Sequence, residues 1–464
     1  MLTTRELAGV IFLRIERLWQ RKVVPRYDAL SRQGLFYFRR LGERNPEKGL
    51  HMRVEYEKEY DNVLDELKDR GYFDNTTNEE ELRKLLAQES VPFYIGFDAT
   101  ADSLTVGHFI QIMVMMRMQA YGHRPIALLG GGTTMIGDPS GRSDMRTVMT
   151  KEKIQHNADC FYRQLSRFLD FGEGGAILEN NGNWLMDLNF LEFMRGVGVH
   201  FNVGEMIKKD AYKNRLAAGG LTFFEFAYML LQSYDFLVLY RKYGCRLELG
   251  GSDQWANIIG GADLVKKAEN TDVFGLTFKL LTTADGVKMG KSMKGAVWLD
   301  EEKTSPYDLF HYMRNVDDRD VRRFLLQLTF LPKAQCLELG DRNGDINKGK
   351  EVLAYEVTKL VHGEEKAKEA LETERFLFSS GRQSENMPSV TIPVTEDKIG
   401  ILNLLTLAGL TSSNGEARRL IQQGGITIDE EKITDPRAEM DREKLVRGIT
   451  IKKGKKVFLK VIAE

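Results

Sequence analysis

Glycines, hydroxyl groups and an imidazole lie close together between Tyr94 and His108, in the sequence YIGFDATADSLTVGH. The last residues of this segment read as the opening of a helix, where unpaired backbone amides and the positive end of the helix dipole favour a bound phosphate. Two glycines permit close backbone approach and three side chains offer donors: Gly96, Gly107, Thr100, Thr105 and His108. The alternative is a capped helix whose histidine is bonded within the protein.

A second short segment, Lys288 to Ser292, reads KMGKS and places two lysines around a glycine. On a loop, the ammonium groups of Lys288 and Lys291 could clamp a polyphosphate and neutralise the charge that moves to a leaving group. The segment is not a Walker loop, which would need a glycine where Asp285 stands. The alternative is a loop whose lysines are merely solvated.

A third group of polar residues lies inside an apolar helix, which is predicted over Thr222 to Tyr243. Tyr228, Gln232 and Asp235 are spaced i, i+4 and i+7, so they share one helix face. An ionised carboxylate is costly to bury among apolar residues without a partner, and we expect a polar ligand to supply that partner. The alternative is a hydrogen-bond network within the protein, because buried polar groups are normally paired.

Two further turns carry polar residues at the predicted ligand edge. The sequence GGSDQW, from Gly250 to Trp255, presents Asp253 and Gln254, which could reach a ribose or an amine. A simple helix N-cap is the alternative there. The sequence GDPSGR is followed closely by a second arginine, which combines an acid able to bind an amine with arginines able to reach phosphate: Asp138, Arg142 and Arg146.

The elements that must position these residues alternate between strands and helices. Strands are predicted at Val91–Phe97, Ile126–Leu129 and Arg246–Leu249, with a helix over Leu104–Tyr121 and another beginning near Asp253. This alternation predicts an α/β fold, a doubly wound parallel sheet with helices on both faces. Ligands of such sheets bind beyond the carboxyl ends of the strands, where the polar turns lie.

The remainder of the chain predicts three further parts. We expect a sheet-containing unit over 52–300, a helical unit over 301–382, a linker over 383–397 and a small α+β unit over 398–464. In the last unit, Arg418 and Arg419 lie on a predicted helix, and a lysine-rich run follows. The RNA-backbone patch predicted from these basic residues comprises Arg418, Arg419, Lys452, Lys453, Lys455 and Lys456.

Composition narrows the class of protein. The 464 residues are too many for one core, and 66 basic against 67 acidic residues give a formal net charge of −1. An anionic partner must therefore be bound by a local patch. Three dispersed cysteines argue against a disulfide framework or a metal cluster, so no residue is predicted as a metal ligand. With no apolar run of about 18 residues, a soluble cytoplasmic protein is expected.

Residues 1–51 form an N-terminal extension whose status the sequence leaves open. The sequence KGLHM before and at Met52 would be encoded by a purine-rich stretch ahead of a start codon, as in a ribosome-binding site. We therefore favour, as a hypothesis, a native start at Met52. The alternative is an organelle transit peptide, although the acidic residues present weigh against it.

Taken together and in this order, the motifs resemble those of the bacterial-type tyrosyl-tRNA synthetases, which are class I aminoacyl-tRNA synthetases. The resemblance extends from about Val54 to the C-terminus. The segment ending at His108 is similar to the HIGH signature, and the one beginning at Lys288 to the KMSKS signature. It implies a Rossmann-like catalytic domain, a helical anticodon-binding domain and a small RNA-binding domain. It also implies L-tyrosine, ATP with magnesium on its phosphates, tyrosine tRNA and a homodimer.

The resemblance also implies roles for individual residues. Those expected at the ATP phosphates and the reacting atoms are Thr100, Thr105, His108, Arg142, Arg146, Lys288, Lys291 and Ser292. Gly96, Gly107 and Asp253 are expected along the nucleotide. Tyr94 and Asp235 are expected at the phenolic hydroxyl of tyrosine. Expected at its ammonium group, or as further contacts, are Asp138, Tyr228, Gln232, Asn181 and Gln254.

One departure from the family pattern and two alternative functions remain. Thr105 stands where the first signature usually has histidine, so a shorter, uncharged group takes that position. A tryptophanyl synthetase shares the fold and both signatures, but an indole would not explain Tyr94 opposite Asp235. A catalytically silent RNA-binding protein would predict decay of the lysines and the helix trio, which are intact.

Overall fold

A computed structural model describes residues 56–138, 149–217, 220–292, 295–380, 389–394, 396–429, 431–454 and 457–464. Several predictions lie outside the described residues: the extension 1–51, Arg142, Arg146, Lys455 and Lys456. For Lys291 and Ser292 the backbone is described and the side chains are not.

The central feature is a sheet of order β1-β6-β5-β2-β3-β4, in which all neighbours are parallel except the edge pair β1–β6. Its strands are β1 (Phe73–Thr76), β2 (Pro92–Phe97), β3 (Arg124–Leu129), β4 (Ile177–Asn180), β5 (Leu247–Gly251) and β6 (Phe274–Phe278). Strands β2, β3, β5 and β6 are almost wholly buried, as expected for a sheet covered on both faces. The predicted α/β class is confirmed.

Helices pack around this sheet, and further helices follow it along the chain. Those of the sheet region are α1 (Val63–Asp69), α2 (Glu79–Gln88), α3 (Val106–Ala120), α4 (Thr133–Ile136), α5 (Lys151–Leu165), α6 (Gly182–Leu185), α7 (Phe190–Gly196), α8 (Val203–Met206), α9 (Asp210–Ala217), α10 (Phe223–Phe226), α11 (Tyr228–Tyr243) and α12 (Trp255–Glu269). Short 3₁₀ turns lie at Gly198–His200 and Ser252–Gln254, and a small strand pair is β7 (Lys291–Ser292) and β8 (Gly295–Ala296).

A group of helices follows, and then a small sheet with its own core. These helices are α13 (Pro306–Arg314), α14 (Val321–Leu328), α15 (Lys333–Leu339), α16 (Ile346–His362) and α17 (Glu364–Ser380). The last part contains β9 (Ser389–Ile392), β10 (Lys398–Gly400), α18 (Ile401–Leu407), α19 (Asn414–Gln422), β11 (Ile426–Ile428), β12 (Glu431–Lys432), β13 (Glu439–Asp441), α20 (Arg442–Arg447), β14 (Ile449–Lys453) and β15 (Val457–Ala463).

The structure departs from the sequence prediction in three places. The helix expected over Thr222–Tyr243 is two helices, because its capping box at Thr222 opens only a single turn before Ala227. The stretch between α1 and α2 contains the unpredicted edge strand β1. Strand β9 lies inside the expected linker and pairs in parallel with β15, so part of that linker is sheet. The division into domains otherwise stays a prediction.

One apolar core joins the sheet to the helices that follow it. At their junction Arg117, at the end of helix α3, is fully buried and bonds the Glu66 carboxylate, the Tyr72 hydroxyl and the Thr329 carbonyl. Pairing and multiple hydrogen bonds are what permit a buried guanidinium. Helix α3, which begins at the first signature, is thereby fixed to the helical part at its other end. Among the described residues, no helix is long and apolar enough to cross a membrane.

Candidate active site

The first signature lies where β2 ends and helix α3 begins. Thr105 is the N-cap of α3, and its backbone N–H donates to His108 Nδ1 at 3.0 Å. The Thr105 hydroxyl lies 3.0 Å from the same nitrogen. Because Nδ1 accepts, a neutral His108 carries its proton on Nε2. Burial lowers the pKa of His108 to about 4, so this histidine is a neutral N–H donor at pH 7.

The lysine loop packs directly against this signature. A side-chain carbon added at Gly107 would lie 3.2 Å from the Met289 carbonyl, and one added at Gly290 would lie 3.1 Å from the Gly107 nitrogen. Gly290 also has a φ of +99°, a conformation that glycine adopts readily. The two glycines therefore allow the two signature segments to contact each other.

Lys288 extends from that loop to the opposite side of the site. Its ammonium group is 3.1 Å from Asp253 Oδ2, which lies in the 3₁₀ turn after β5. The predicted phosphate-binding lysine and the predicted ribose-binding aspartate are thus neighbours. Of the other residues expected along the nucleotide, Gly96 and Thr100 are exposed at and after the end of β2.

Asp235 is the most deeply buried acid of the predicted helix face, with 1% of its surface exposed. Its two oxygens accept from Trp184 Nε1 at 2.7 Å and from Asn181 Nδ2 at 2.9 Å. An ionised carboxylate can accept about four hydrogen bonds, so these two donors satisfy it only in part. Burial accordingly raises the pKa of Asp235, against the opposite effect of both donors.

Asn181, predicted to contact the amino acid, holds Asp235 instead of facing an open space. Its carbonyl oxygen accepts from the Gly132 backbone N–H at 2.8 Å, and its amide also donates to Thr133 Oγ1 at 3.0 Å. The side chain is 1% exposed, and both its ends are used within the protein. Asn181 therefore fixes the carboxylate of Asp235 from behind.

The Tyr94 hydroxyl, which is expected with Asp235 at the substrate phenol, lacks a well-formed hydrogen bond among the described residues, although the Glu248 carboxylate lies near it. Tyr94 is 1% exposed, and its ring packs edge-on against Phe236 with centroids 5.4 Å apart. Burial, together with the nearby charges of Glu248 and Asp235, raises the pKa of Tyr94 well above its usual value. A buried hydroxyl without a partner is costly, which indicates that a ligand supplies the missing bond.

A second acidic group surrounds the predicted ammonium position. Asp98 accepts from Thr133 Oγ1 at 3.1 Å and from the Tyr228 hydroxyl at 3.5 Å. A side-chain carbon at Gly130 would lie 2.5 Å from Asp98 Oδ1, so glycine is needed there. Asp138 accepts from Gln254 Nε2 at 2.6 Å. The predicted residues Asp138 and Gln254 therefore lie together, and Tyr228 pairs with Asp98.

Gln232 is the third residue of the predicted helix face, and its side-chain amide contacts another buried acid, Glu248. Its amide nitrogen donates to Glu248 Oε1 at 2.9 Å, while its oxygen is buried without a partner. Glu248 lies on β5 beside Tyr94 of β2, since the two are paired residues in the strand register. Tyr94, Gln232, Asp235 and Glu248 thus bring several polar atoms with incomplete hydrogen bonding together, and we call this surface the substrate wall.

Three residues in or beside the substrate wall were missed as site residues: Asp98, Trp184 and Glu248. Asp98 lies within the quoted first motif, so a signal was present. Trp184 is in a single helical turn without any motif around it. Glu248 lies in a predicted strand just before the GGSDQW motif, but it was read only as part of that strand. Among the described residues, no group of three potential metal-binding side chains occurs.

The predicted basic patch of the C-terminal part is only partly described. Arg418 and Arg419 are exposed on helix α19. Lys453 is not a free cation, because its ammonium group bonds the Leu410 carbonyl at 2.6 Å and Glu416 at 3.3 Å. Lys452 lies on the opposite face of β14 and is half-buried.

Comparison with known families first defines the class. The model described as tRNA synthetases class I (W and Y) matches residues 86–379. The model described as Tyrosine--tRNA ligase SYY-like C-terminal domain matches residues 380–461. The first match therefore covers the candidate active site, and the second covers the predicted basic patch.

Proteins of similar sequence show which synthetases of that class this chain resembles. A tyrosine–tRNA ligase of Lachnoclostridium phytofermentans is 54% identical over 403 residues, covering 86% of this chain and 98% of the relative. One from Caldanaerobacter subterraneus is 52% identical over 407 residues, covering 87% of this chain and 99% of the relative. The chain belongs to this tyrosine–tRNA ligase family of class I synthetases, which confirms the resemblance seen in the sequence.

Solved structures agree with this assignment. A C-terminally truncated mitochondrial tyrosyl-tRNA synthetase of Aspergillus nidulans has a TM-score of 0.62 and 29% identity, covering 68% of this chain and 94% of that one. The tyrosyl-tRNA synthetase of Archaeoglobus fulgidus, solved with L-tyrosine, has a TM-score of 0.51 and 16% identity, covering 67% and 99%. The second likeness concerns the fold alone.

Proposed function

We propose that this chain is an enzyme that activates L-tyrosine with ATP and transfers the tyrosyl group to the 3′ end of its tRNA. Family membership supports the reaction type. The observation that carries the amino-acid choice is the pair of Asp235 and Tyr94. One is a buried carboxylate with acceptor capacity left over, and the other is a buried hydroxyl without a well-formed hydrogen bond among the described residues. A phenol from the substrate satisfies both at once.

The ammonium group of tyrosine would be held at the acidic end of the same wall. Asp138 offers a carboxylate, and the buried Gln232 oxygen is an acceptor without a donor in the part of the chain that the structure describes. Tyr228 and Asp98 border this position. A cation with three N–H donors matches a wall made of acceptors. Phenylalanine would fill the same volume and leave the buried groups at the far end unpaired.

The activation step needs placement and charge stabilisation, and no general base. The tyrosine carboxylate is already ionised at pH 7 and attacks the α-phosphorus, which releases pyrophosphate. We assign to neutral His108 the donation of its Nε2–H to a phosphate oxygen. The backbone N–H of Thr105 holds this tautomer. The Thr105 hydroxyl acts through its contact with Nδ1.

The charge of the departing pyrophosphate would be met by the lysine loop. Lys288 and Lys291 lie in the segment that packs on Gly107, and Arg142 and Arg146 are assigned to the same phosphates from the sequence alone. Magnesium enters as part of the ATP substrate, bound to its phosphates. Asp253, now paired with Lys288, would exchange that partner for the ribose hydroxyls when the nucleotide binds.

The second step would join this site to a bound tRNA in the cytoplasm. A ribose hydroxyl of the tRNA attacks the activated carbonyl, and AMP leaves. The exposed Arg418 and Arg419 would contact the RNA backbone, and Lys452 would contact it from the other face of strand β14. Lys453 would support that surface through Glu416. Phosphate contacts of this kind position an RNA without reading its sequence.

We also propose that two copies of the chain associate. Large apolar side chains are exposed between residues 186 and 224, including Phe190 (63%), Leu191 (70%), Val199 (69%) and Phe223 (67%). Apolar surface concentrated in one segment marks an interaction site. A second copy is the simplest occupant, because symmetric pairs are the commonest soluble assemblies.

The test is ATP–pyrophosphate exchange with tyrosine, phenylalanine or tryptophan as the only amino acid. Exchange that depends on tyrosine supports the proposal, and charging of tRNA with labelled tyrosine extends it to the second step. Exchange with tryptophan alone would favour the tryptophanyl alternative. RNA binding without exchange would favour the silent RNA-binding alternative.

A further inference from the structure

Glu248 is a buried acid that the proposed reaction does not yet use. It is 1% exposed on strand β5, in the middle of the substrate wall. One oxygen accepts from Gln232 Nε2 at 2.9 Å, and the other lacks a well-formed hydrogen bond among the described residues, with Tyr94 beside it. A carboxylate left half-paired inside a protein is costly, so its presence calls for a specific explanation.

The surroundings of Glu248 leave it few possible partners. Strand β2 presents Tyr94 beside it, strand β6 presents Gly275, and helix α11 presents Gln232 and Asp235. Helix α12 presents Gly261, where a side-chain carbon would lie 2.9 Å from Glu248 Oε2. The other titratable neighbour is the buried thiol of Cys245, two residues before β5.

Glu248 fixes the orientation of the Gln232 amide. An amide can turn either its nitrogen or its oxygen toward a neighbour. The paired oxygen of Glu248 can only accept, so it draws the amide nitrogen toward itself. The Gln232 oxygen is thereby left facing away, and it is the buried, unpaired acceptor assigned to the tyrosine ammonium group.

Glu248 also has a second oxygen on the side of Tyr94. In the tyrosine complex, Asp235 would have three donors, from Asn181, Trp184 and the substrate phenol. Glu248 would have one, from Gln232, once the Tyr94 hydroxyl turns from Glu248 toward the substrate. Burial raises the pKa of both carboxyls. Without ligand, the pKa of Asp235 is raised to about 8 and that of Glu248 to about 7. Donation from the substrate phenol favours the anion of Asp235 and reverses this order, so Asp235 is the ionised member when tyrosine is bound and the remaining proton stays with Glu248.

With Glu248 protonated, every hydroxyl between Glu248 and Asp235 has an acceptor for its proton. Its O–H donates to the Tyr94 oxygen, the Tyr94 O–H donates to the substrate phenol, and the phenol donates to ionised Asp235. The Tyr94 hydroxyl and the substrate hydroxyl each donate one hydrogen bond and accept one. We propose that Glu248 is a positioning residue for tyrosine recognition, which orients Gln232 and keeps the proton that directs the Tyr94 hydroxyl toward the substrate.

This inference rests on the proposed function and deepens it, because it concerns the same amino-acid site. It predicts that tyrosine binding weakens on both sides of a pH optimum, with an acidic limb and an alkaline limb. Below the optimum Asp235 must lose a proton, and above it Glu248 must keep one. The variant Glu248→Gln retains both bonds, since an amide oxygen accepts from Gln232 and an amide nitrogen donates to Tyr94. It has no proton to lose and so lacks the alkaline limb.

The experiment measures the tyrosine Kd of the full-length protein by equilibrium dialysis between pH 6 and pH 9. We expect the ratio of wild-type Kd to Glu248→Gln Kd to rise at least fivefold from pH 7 to pH 9. Dividing by the variant cancels titration of the tyrosine ammonium group. Glu179→Gln is the matched control, a buried glutamate on β4 paired with Lys242 and Tyr243, and it should follow the wild type.

A second variant tests the orientation of Gln232. Glu248→Leu should raise the KM for tyrosine at least tenfold and leave the KM for ATP within twofold, with folding checked by circular dichroism. A constant Kd ratio across pH, or a tyrosine KM within twofold of wild type in Glu248→Leu, would overturn the role of Glu248. Wild-type protein without tyrosine-dependent exchange would instead overturn the proposed function, so the two failures are distinguishable.

Discussion

Asp235 is buried and His108 is half-buried beside the proposed reaction site, and desolvation shifts their pKa values in opposite directions. It raises the pKa of Asp235, whose charged form is the anion, and lowers that of His108, whose charged form is the cation. The lowered pKa suits the proposed role of His108, whereas the raised pKa of Asp235, about 8, reflects an anion whose hydrogen bonds are incomplete without ligand. His108 serves as a neutral donor, and Asp235 is an acceptor that gains a missing partner when the phenol binds.

The raised pKa of Asp235 predicts a cost to the stability of the ligand-free fold. An unfolded aspartate loses its proton near pH ~4, whereas the folded one keeps it to higher pH. Between these values the folded state binds more protons, so stability falls as pH rises through that window. Asp235→Asn should therefore raise the thermal midpoint at pH 8 relative to wild type. The difference should shrink toward pH 5, as measured by calorimetry without ligand.

The higher thermal midpoint of Asp235→Asn should be accompanied by weaker tyrosine binding. Asparagine cannot offer an anionic acceptor, so we expect the tyrosine Kd of Asp235→Asn to rise by about tenfold or more, consistent with roughly 1.5–3 kcal/mol for a charge-assisted hydrogen bond. A variant that is less stable at pH 8, or that binds tyrosine as tightly as wild type, would show that Asp235 is a structural acid.

Thr105 provides a second residue-level prediction. Its hydroxyl contacts His108 Nδ1, while its backbone N–H holds the tautomer by itself. Thr105→Ala should therefore lower the rate of adenylate formation by about tenfold, the loss of one hydrogen bond of ~1 kcal/mol or slightly more. The tyrosine Kd should change little. Single-turnover kinetics separate the two, and an unchanged rate would mean that the hydroxyl contributes nothing to the phosphate site.

The elements of the site could be predicted better than the contacts between them. Strands β2, β3 and β5 and helix α3 were readable from apolar runs and turn residues, since those signals are local. The bond from Trp184 to Asp235 spans 51 residues of chain, and no spacing rule reports it. Edge strand β1 was missed because its sequence, FDNT, lacks an apolar alternation.

Contact between the two signature segments gives a prediction at the level of elements. Gly290 adopts a φ of +99° and packs 3.1 Å from the Gly107 nitrogen, measured from an added side-chain carbon. Gly290→Ala is therefore strained in its backbone and crowded against helix α3. We expect adenylate formation to slow at least tenfold with the tyrosine Kd within twofold. Gly286→Ala is the control, because its φ is also positive but nothing lies within 4 Å.

If both alanine variants slow the reaction equally, backbone strain in the loop explains the effect and contact with Gly107 does not. If neither slows it, the packing of the loop on the first signature is irrelevant to activation. A selective effect at Gly290 is the result that the close approach predicts.

On the scale of the whole molecule, the exposed apolar segment between residues 186 and 224 should control assembly. Leu191 is 70% exposed on helix α7, so Leu191→Asp should leave the fold intact. It would place a charge in an apolar interface between two copies. We expect the particle mass from light scattering to fall from that of two chains to that of one. Leu407→Asp, in the C-terminal part and 50% exposed, is the control and should keep the wild-type mass.

The central claim is that the Asp235–Tyr94 pair selects a phenol, and steady-state ATP–pyrophosphate exchange tests it most directly. With wild-type protein, kcat/KM for tyrosine should exceed that for phenylalanine at least a hundredfold, because phenylalanine leaves buried polar groups unpaired at a cost of about 3 kcal/mol. In Asp235→Ala the ratio should fall at least tenfold. Comparable wild-type activity with both amino acids, or a ratio unchanged in Asp235→Ala, would contradict the account.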